Sequence, residues 1–462
     1  MSQSLNFDSI KSVYFLGIGG IGMSAIARFF HQMGKKVSGY DKTATPLTDE
    51  LQAEGIDIHF EDNPEIITAP FFDPHTTLVV LTPAIPKDHR EWEYFKVKGF
   101  NIMKRSEVLG VIAARFYTIA VAGTHGKTTT STLIAHLLRS AGTECTAFLG
   151  GISKNYSTNL LIGKEQKGRH IVVVEADEYD RSFLTLFPDV AIITSMDPDH
   201  LDIYGTPQEM QDTYRKFAGQ VKEDGLLICH KGLPIGSVKA AKVDYALSGP
   251  ADCYAAKVEI RDHQYHFDWT DGKETYYNLT TQLPGEHNVE NAVAAVTAVR
   301  FAGLNEEQIR EGLSSYVGVK RRFDYQVRNN RYIYIDDYAH HPEELRACIA
   351  SVRNLYPGRH VTGIFQPHLF TRTRDFVDGF AISLSMLDRL ILLDIYPARE
   401  LPIPGITSNI ILDKVTCQDK QLVPKESVLE FLSGCELDVV LTLGAGDIDQ
   451  LVDPIRQLLS KN

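Results

Sequence analysis

Cysteine is scarce in this chain of 462 residues: six, at positions 145, 229, 253, 348, 417 and 435, with no Cys-x-x-Cys pair. That density excludes a disulfide scaffold and fits a reducing compartment. Long hydrophobic runs are missing as well. Apolar stretches such as residues 78–81 and 171–174 have the length of a buried strand, far short of a membrane span. The opening MSQSLNFDSIKS has no basic cluster leading into an apolar segment, so no secretory signal and no membrane insertion are expected, and the expected location is the cytoplasm. Positive charge is in deficit, with 47 Lys and Arg against 59 Asp and Glu, a formal net charge of −12. Such a field repels phosphate, which argues against nucleic acid or an anionic membrane as partner while leaving room for a local cationic pocket. No solenoid-period repeat and no low-complexity linker interrupts the chain.

What is present reads as α/β. Hydrophobic residues at 44% and charged residues at 23% are ordinary for a globular protein, and the length suits two to four domains. Short buried-type strands alternate with helical stretches, which predicts parallel sheets with crossover helices. In a first block, residues 13–16 read as a strand, 21–30 as a helix stopped by Gly34, and 35–41 as a second strand ending at Asp41. Further strands are expected over 56–60 and 77–85, the latter closed by Pro86. A second block begins near Arg105, with a strand into a glycine loop, a helix after Lys127, and strands over 171–180 and 190–196. The stretch from about 225 to 282 alternates and is rich in aromatics, which predicts an antiparallel patch turning at Asp271 and Gly272. A third block starts near Arg321, with strands over 331–339, 361–368, 389–398 and 438–447 and a helix over 342–356. In open α/β sheets the chemistry collects beyond the carboxyl ends of strands.

Two glycine loops sit at such ends. Gly17, Gly19, Gly20 and Gly22 follow the first strand and open a helix, which would bring backbone N–H groups close to a phosphate. Asp41, 24 residues after Gly17, stands where a dinucleotide fold places its ribose-binding acid. On these residues alone, NAD, another nucleotide or phosphorylated ligand, and a purely structural turn all remain open. The second loop, Gly123-Thr124-His125-Gly126-Lys127-Thr128-Thr129, is a phosphate loop. Its backbone N–H groups would receive phosphates, Lys127 would reach the β and γ positions, and the Thr128 hydroxyl would ligate Mg²⁺. The strict pattern has glycine where this chain has Val121. Thr129 could assist, while Thr130, Ser131 and Thr132 read as helix packing. Glu175, directly after a hydrophobic strand, is placed to meet the same Mg²⁺, with Asp177, Glu178 and Asp180 read as solvated or helix-capping acids. After the next strand, His200 stands among Asp197, Asp199 and Asp202, as a second-cation ligand or a partner of a carboxylate.

Taken together these segments resemble the ATP-dependent Mur ligases, and within them the alanine-adding branch. The resemblance rests on GIGGIGMS at 17–24, AGTHGKTTT at 122–130, EADEYD at 175–180 and DHLDIYG at 199–205. It continues through PGEHNVENAVAA at 284–295, GVKRRFD at 318–324, DDYAHHP at 336–342, QPHLFTRT at 366–373, DIYPAREL at 394–401 and GAGDI at 444–448. It implies three domains: a Rossmann-like UDP-sugar domain over 1–105, a central P-loop ATPase-like domain with a mixed or parallel sheet over 106–320, and a Rossmann-like domain over 321–462 that admits the amino acid and closes over ATP. The implied activity is ATP-dependent ligation of L-alanine to the carboxylate of UDP-N-acetylmuramate through an acyl phosphate, in bacterial peptidoglycan precursor synthesis, by a monomer or weak homodimer.

The resemblance also implies residue roles. Lys127 handles the phosphates, Thr128 and Glu175 bind one Mg²⁺, and Glu175 with His200 binds a second. His287, Asn288 and Asn291 match the adenine-side motif, and Asp336 or Asp337 the acid that helps hold the nucleotide. Gly17, Gly19, Gly20, Gly22 and Asp41 fall to the UDP-sugar. Tyr338, His340 and Arg372 fall to the group around alanine and the acyl phosphate, with His340 a candidate base for the amine. His341 reads as a cap before Pro342, and Arg321 or Arg322 as interdomain ion-pair residues. Relatives often carry arginine where this chain has Leu369, a contact that Arg374 could supply. Lys216 does not fall in register with the carbamylated lysine of other branches, so no carbamate is expected.

Overall fold

The computed structural model describes residues 9–163, 170–198, 201–398 and 400–460, without the side chains of 201 and 202. They form two compact units: one of residues up to 256 with 269–276 and 290–315, the other of 257–268, 277–289 and 316 onward. Three sheets give the three-domain α/β architecture, with Rossmann-like first and last sheets and a mixed central one.

The first sheet has five parallel strands in the order Asp57–His59, Lys36–Tyr40, Ser12–Leu16, Thr77–Leu81 and Asn101–Lys104. All five residues of Ser12–Leu16 and of Thr77–Leu81 are buried, as strands covered on both faces must be. Thr77–Leu81 stops short of the expected residue 85, ahead of Pro83. The order reverses between the first and fourth strands in sequence, and the Gly17–Gly22 loop leaves the sheet at that switch point.

The ten-stranded central sheet runs in the order Thr275–Thr281, Gln264–Thr270, Cys253–Arg261, Ala241–Ala246, Leu226–His230, Val190–Ile193, Tyr117–Ala122, Ile171–Glu175, Cys145–Ser153 and Thr158–Leu161. Tyr117–Ala122 therefore lies between the strands that deliver Glu175 and residues 194–197. The expected antiparallel patch needs correction over its first half. Leu226–His230 and Ala241–Ala246 pair in parallel, extending the main sheet, and Ala246 pairs in parallel with Tyr254. Leu226–Cys229 are buried throughout, as in a covered parallel strand, and the polar and aromatic pattern beyond them does not encode strand direction. The turn at Asp271 and Gly272 is as expected, with Gly272 at φ 78° and the Asp271 carboxylate accepting from the N–H of Lys273 and Glu274.

Within the first unit the first two sheets share one core. Helix Ile21–Gln32 packs Phe29 against Phe148 of the central sheet, with ring centroids 5.4 Å apart. Buried Arg28 on the same helix donates to Asn159 at 2.5 Å and to Glu54 at 2.6 Å, and Asn159 donates back to the carbonyl of Ile21. This packing and polar lock fix the glycine loop over the central sheet.

In the second unit six strands run in the order Asp324–Arg328, Ile333–Asp337, Val439–Leu443, Val361–Phe365, Arg389–Leu392 and Asp419–Leu422, all parallel except the first. Among the described residues no helix is long and apolar enough to cross a membrane.

Candidate active site

The phosphate loop begins where the six buried residues of Tyr117–Ala122 end. Gly123 has φ +135°, and a Cβ on it would lie 2.0 Å from the Thr194 hydroxyl, so only glycine fits. Gly126, at φ +80°, caps helix Lys127–Ser140, and a Cβ there would lie 2.6 Å from Asn291 Oδ1. The neighbouring strand braces the loop. Thr194 donates to the carbonyls of Ala122 and His125, Ser195 Oγ accepts from His125 N–H at 2.8 Å, and Thr124 Oγ1 lies 2.8 Å from Ser195 Oγ. His125 Nε2 stands 3.6 Å from Asp197. Asp199 and His200 lie outside the described residues.

Lys127 opens the helix and folds back over the loop, donating to the carbonyl of Gly123 at 2.5 Å and to Glu178 at 2.9 Å. Burial works against its charge, but the carboxylates of Glu178, Asp177 and Glu175 outweigh burial and hold the ammonium above the usual lysine range. Glu178 is thus not a solvated acid; it stands at the N-cap position of the turn Tyr179–Thr185, but its side chain makes no cap bond there. It is 1% exposed and is the lysine's counter-ion. Thr128 is buried in the first helical turn, Thr129 is half-buried, and Thr130, Ser131 and Thr132 pack in the core as expected.

Glu175 is the last residue of its strand, and its carboxylate accepts the N–H of Gly150 at 3.1 Å. A Cβ on Gly150 would come within 2.2 Å of that carboxylate, so the glycine admits the acid. Beside it, Asp177 accepts from Arg105 at 3.2 Å. A cavity of about 250 Å³ opens here, lined by Gly20, Gly22, Arg105, Gly150, Glu175 and Asp177 together with apolar side chains. The first glycine loop forms its far wall. Gly17 takes φ +89° against Thr82, and Gly19 donates its N–H to Asp41 at 2.7 Å, so the Asp41 carboxylate shapes the loop.

His287, Asn288 and Asn291 share helix Glu286–Phe301, with His287 and Asn291 one turn apart on one face. Asn288 bonds the carbonyl of Pro284 at 2.6 Å, while Asn291 borders Gly126.

In the second unit, strand Ile333–Asp337 ends in two buried acids. Asp336 accepts from Thr442 at 2.7 Å and from Arg321 at 3.2 Å, and burial raises its pKa. Asp337 accepts the N–H groups of Phe323 and Ala339, at 2.7 and 2.8 Å, and burial lifts its pKa to about 6. Among the described residues Arg321 binds Asp336 and the carbonyl of Gly444, both inside the second unit. The guanidinium groups of Arg321 and Arg322 each lie 5.2 Å from the Tyr338 ring. His340 contacts that ring edge-on and holds the Tyr338 carbonyl through Nδ1 at 2.9 Å. Burial drives its pKa down to about 4. His341 caps helix Pro342–Leu355 as expected. Arg372 is 9% exposed on the short helix Phe370–Asp375, which Leu369 enters at φ +69°, and Arg374 turns to Asp375 at 2.7 Å. Lys216 is exposed.

Three residues are missed by the sequence reading or given another role in it, Arg105, Gly150 and Glu178, and Gln366 braces the second unit. Gln366 ties two strand ends, donating to Asp447 at 2.7 Å and accepting from Ile448 N–H at 2.9 Å. The first three act through contacts between residues 25 to 72 positions apart, which no local pattern announces.

Comparison with known proteins decides the family. Models of the Mur ligase family catalytic domain, the Mur ligase middle domain and the Mur ligase glutamate ligase domain match residues 12–117, 121–299 and 321–446. The chain is 48% identical over 458 residues to a UDP-N-acetylmuramate–L-alanine ligase of Flavobacterium johnsoniae, covering 99% of this chain and 100% of that one. This chain belongs to the Mur ligase family. It is also 50% identical over 455 residues to the Porphyromonas gingivalis protein of the same name, covering 97% and 99% of the two chains. Among solved structures, the UDP-N-acetylmuramate–alanine ligase of Thermotoga maritima superposes with a TM-score of 0.83 at 26% identity, covering 98% of this chain and all of that one. A murein peptide ligase from Psychrobacter arcticus shares the fold, with a TM-score of 0.70 at 21% identity over 98% and 99% of the chains.

Mur ligases depend on ATP and Mg²⁺. The residues present fit both. The backbone at Gly123 and Gly126 leaves no room for a Cβ, which suits a loop wrapped on phosphate. The Thr128 hydroxyl and Glu175 carboxylate are the hard oxygen donors that Mg²⁺ takes. Among the described residues no three His, Cys, Asp or Glu side chains converge as a metal cluster.

Proposed function

We propose that this Mur ligase joins L-alanine to the carboxylate of UDP-N-acetylmuramate with cleavage of ATP. The observation that carries the reading is the Lys127 ammonium, its side chain 13% exposed, poised on the phosphate loop among Glu175, Asp177 and Glu178, in a chain that matches alanine-adding relatives over 97–99% of its length. The proposed domains are 1–105 for the UDP-sugar, 106–320 for ATP and 321–462 for the amino acid.

The proposed division of labour follows the geometry. Lys127 exchanges Glu178 for the β and γ phosphates, and the loop N–H groups from Gly123 to Thr129 cradle them. Thr128, Glu175 and His200 would hold Mg²⁺, two ions in all, and the metal would supply positive charge to offset the phosphate and carboxylate anions. His287, Asn288 and Asn291 face the adenine side, and Asp336 or Asp337 helps hold the nucleotide. The γ-phosphoryl passes to the sugar carboxylate as its bond to ADP breaks, giving an acyl phosphate. The alanine amine then attacks the acyl carbon, and phosphate leaves from the tetrahedral intermediate. Tyr338, His340 and Arg372 position alanine and the acyl phosphate. With a pKa near 4, His340 is neutral at pH 7, and its Nδ1 is engaged by the Tyr338 carbonyl. Such a weak base accepts a hydrogen bond from the amine and orients it, while phosphate or water carries the proton away.

The test is phosphate release from ATP by the purified protein. Release should require UDP-N-acetylmuramate and alanine together, with serine, glycine and a tripeptide compared as acceptors. A tripeptide preferred over alanine would overturn the single-residue reading.

A further inference from the structure

The cavity between the first glycine loop and Glu175 holds a cation that the reaction scheme above does not use. Arg105 stands at the carboxyl end of the edge strand Asn101–Lys104 and opens helix Arg105–Ala113. Its backbone is pinned, because the Thr185 hydroxyl donates to the Ser106 carbonyl at 2.8 Å and a Cβ on Gly110 would meet the Thr185 carbonyl at 2.6 Å. The guanidinium reaches back across the start of helix Ile21–Gln32. A Cβ on Gly22 would lie 2.7 Å from Nη1, so the glycine loop is cut away to admit the guanidinium. Its side chain is 19% exposed, and among the described residues its hydrogen bond is the one from Nη2 to Asp177.

The charges around the cavity call for such a group. Among its described lining residues Arg105 is the single cation, against Glu175 and Asp177, while Met23, Ile26, Leu109, Phe148 and Leu149 are apolar. A ligand carboxylate brought to Glu175 meets two negative side chains and the approaching γ-phosphate. It needs a cation on the side away from the phosphate loop. A planar guanidinium with several N–H donors matches a carboxylate better than a point charge does.

We propose that Arg105 binds the lactyl carboxylate of the UDP-sugar, turning from Asp177 to hold that group beside Glu175 for phosphorylation. The apolar side chains opposite then receive the lactyl methyl. The proposal rests on the activity reading above, because it takes the carboxylate-bearing sugar as ligand.

The experiment is calorimetric binding of UDP-N-acetylmuramate and of UDP-N-acetylglucosamine, which lacks the carboxylate, to the wild-type protein, Arg105→Gln and Arg105→Lys. Arg105→Gln should weaken the acid by about 10- to 100-fold, the worth of hydrogen bonds to a charged group, and leave the affinity of the sugar without the carboxylate unchanged. Arg105→Lys, which keeps the charge and loses the fork, should recover part of the loss. Equal weakening of both sugars would make Arg105 a structural strut between the two sheets, and unchanged binding of both would remove it from the site. Either result overturns the proposal. Wild-type phosphate release with alanine, measured on the same preparation, judges the activity reading separately, since the binding comparison needs no turnover.

Discussion

Glu178→Gln should make the nucleotide-free protein less stable and bind nucleotide more tightly. Both Glu178 oxygens lie within 2.9 Å of the Lys127 ammonium, and the two side chains are 2% and 13% exposed. Glutamine keeps the volume and one acceptor oxygen but removes the charge, leaving a buried ammonium with a neutral partner. A hydrogen bond to a charged group contributes about 1.5–3 kcal/mol, so the loss should be about 2 kcal/mol. At roughly 2–4 °C per kcal/mol for a domain of 150–250 residues, the apparent melting temperature should fall by about 4–8 °C. Phosphate oxygens are the alternative counter-ions for Lys127. Glu178 therefore competes with them, and its removal should enlarge the shift that ATP or ADP produces. Thermal melts with and without nucleotide, together with calorimetric titration of ADP, test both halves. A variant that melts with the wild type, or whose nucleotide-induced shift is smaller, would refute the counter-ion assignment.

Lys127→Ala should lose at least ~10²-fold in turnover, as for removal of a preorganised electrostatic donor. It should also lose stability, because Glu178 is left buried without its cation, and Glu178→Ala in the same chain should restore part of it; a single variant that melts with the wild type sinks this pairing. In Gly150→Ala the new Cβ meets the Glu175 carboxylate at 2.2 Å, so the Mg²⁺ needed for half-maximal activity should rise by ~10-fold or more; overlaid Mg²⁺ titrations would show that Glu175 does not serve the metal. His340 should titrate near pH 4 by NMR against an ordinary value of 6.5. The unfolded chain then binds the extra proton first, so the neutral imidazole's stabilising contribution is full above pH 6.5 and is lost as pH falls toward 4; a measured pKa above 6 contradicts the burial. Arg372→Ala should raise the KM for alanine by ~10-fold or more while UDP-sugar affinity holds, and the reverse pattern would place Arg372 on the other substrate.

Local sequence was enough to determine the phosphate loop with the strand and helix that flank it. Residues 117–122 are buried on both faces and end in glycines that need left-handed backbone, so strand, loop and helix are written in consecutive residues. Lys127 and Thr128 follow from that geometry, and Glu175 from its place at a strand end. The helix over 342–355 was equally legible, because His341, Pro342 and Glu344 write its start.

Tertiary structure alone decided what those elements face. Strand Val439–Leu443 inserts between Ile333–Asp337 and Val361–Phe365, which brings Gly444 to Arg321 across 123 positions. The polar and aromatic pattern over 241–261 does not encode strand direction, so the parallel extension of the central sheet stayed hidden. The acids after Glu175 look alike in sequence, yet one is the buried partner of Lys127 and another holds Arg105. A carboxylate's role depends on which cation lies within about 3 Å and on how much water is excluded around the pair. Both are set by how distant strands stack, whereas a turn, a cap or a buried strand is set by torsion angles and hydrophobicity within a few neighbouring residues.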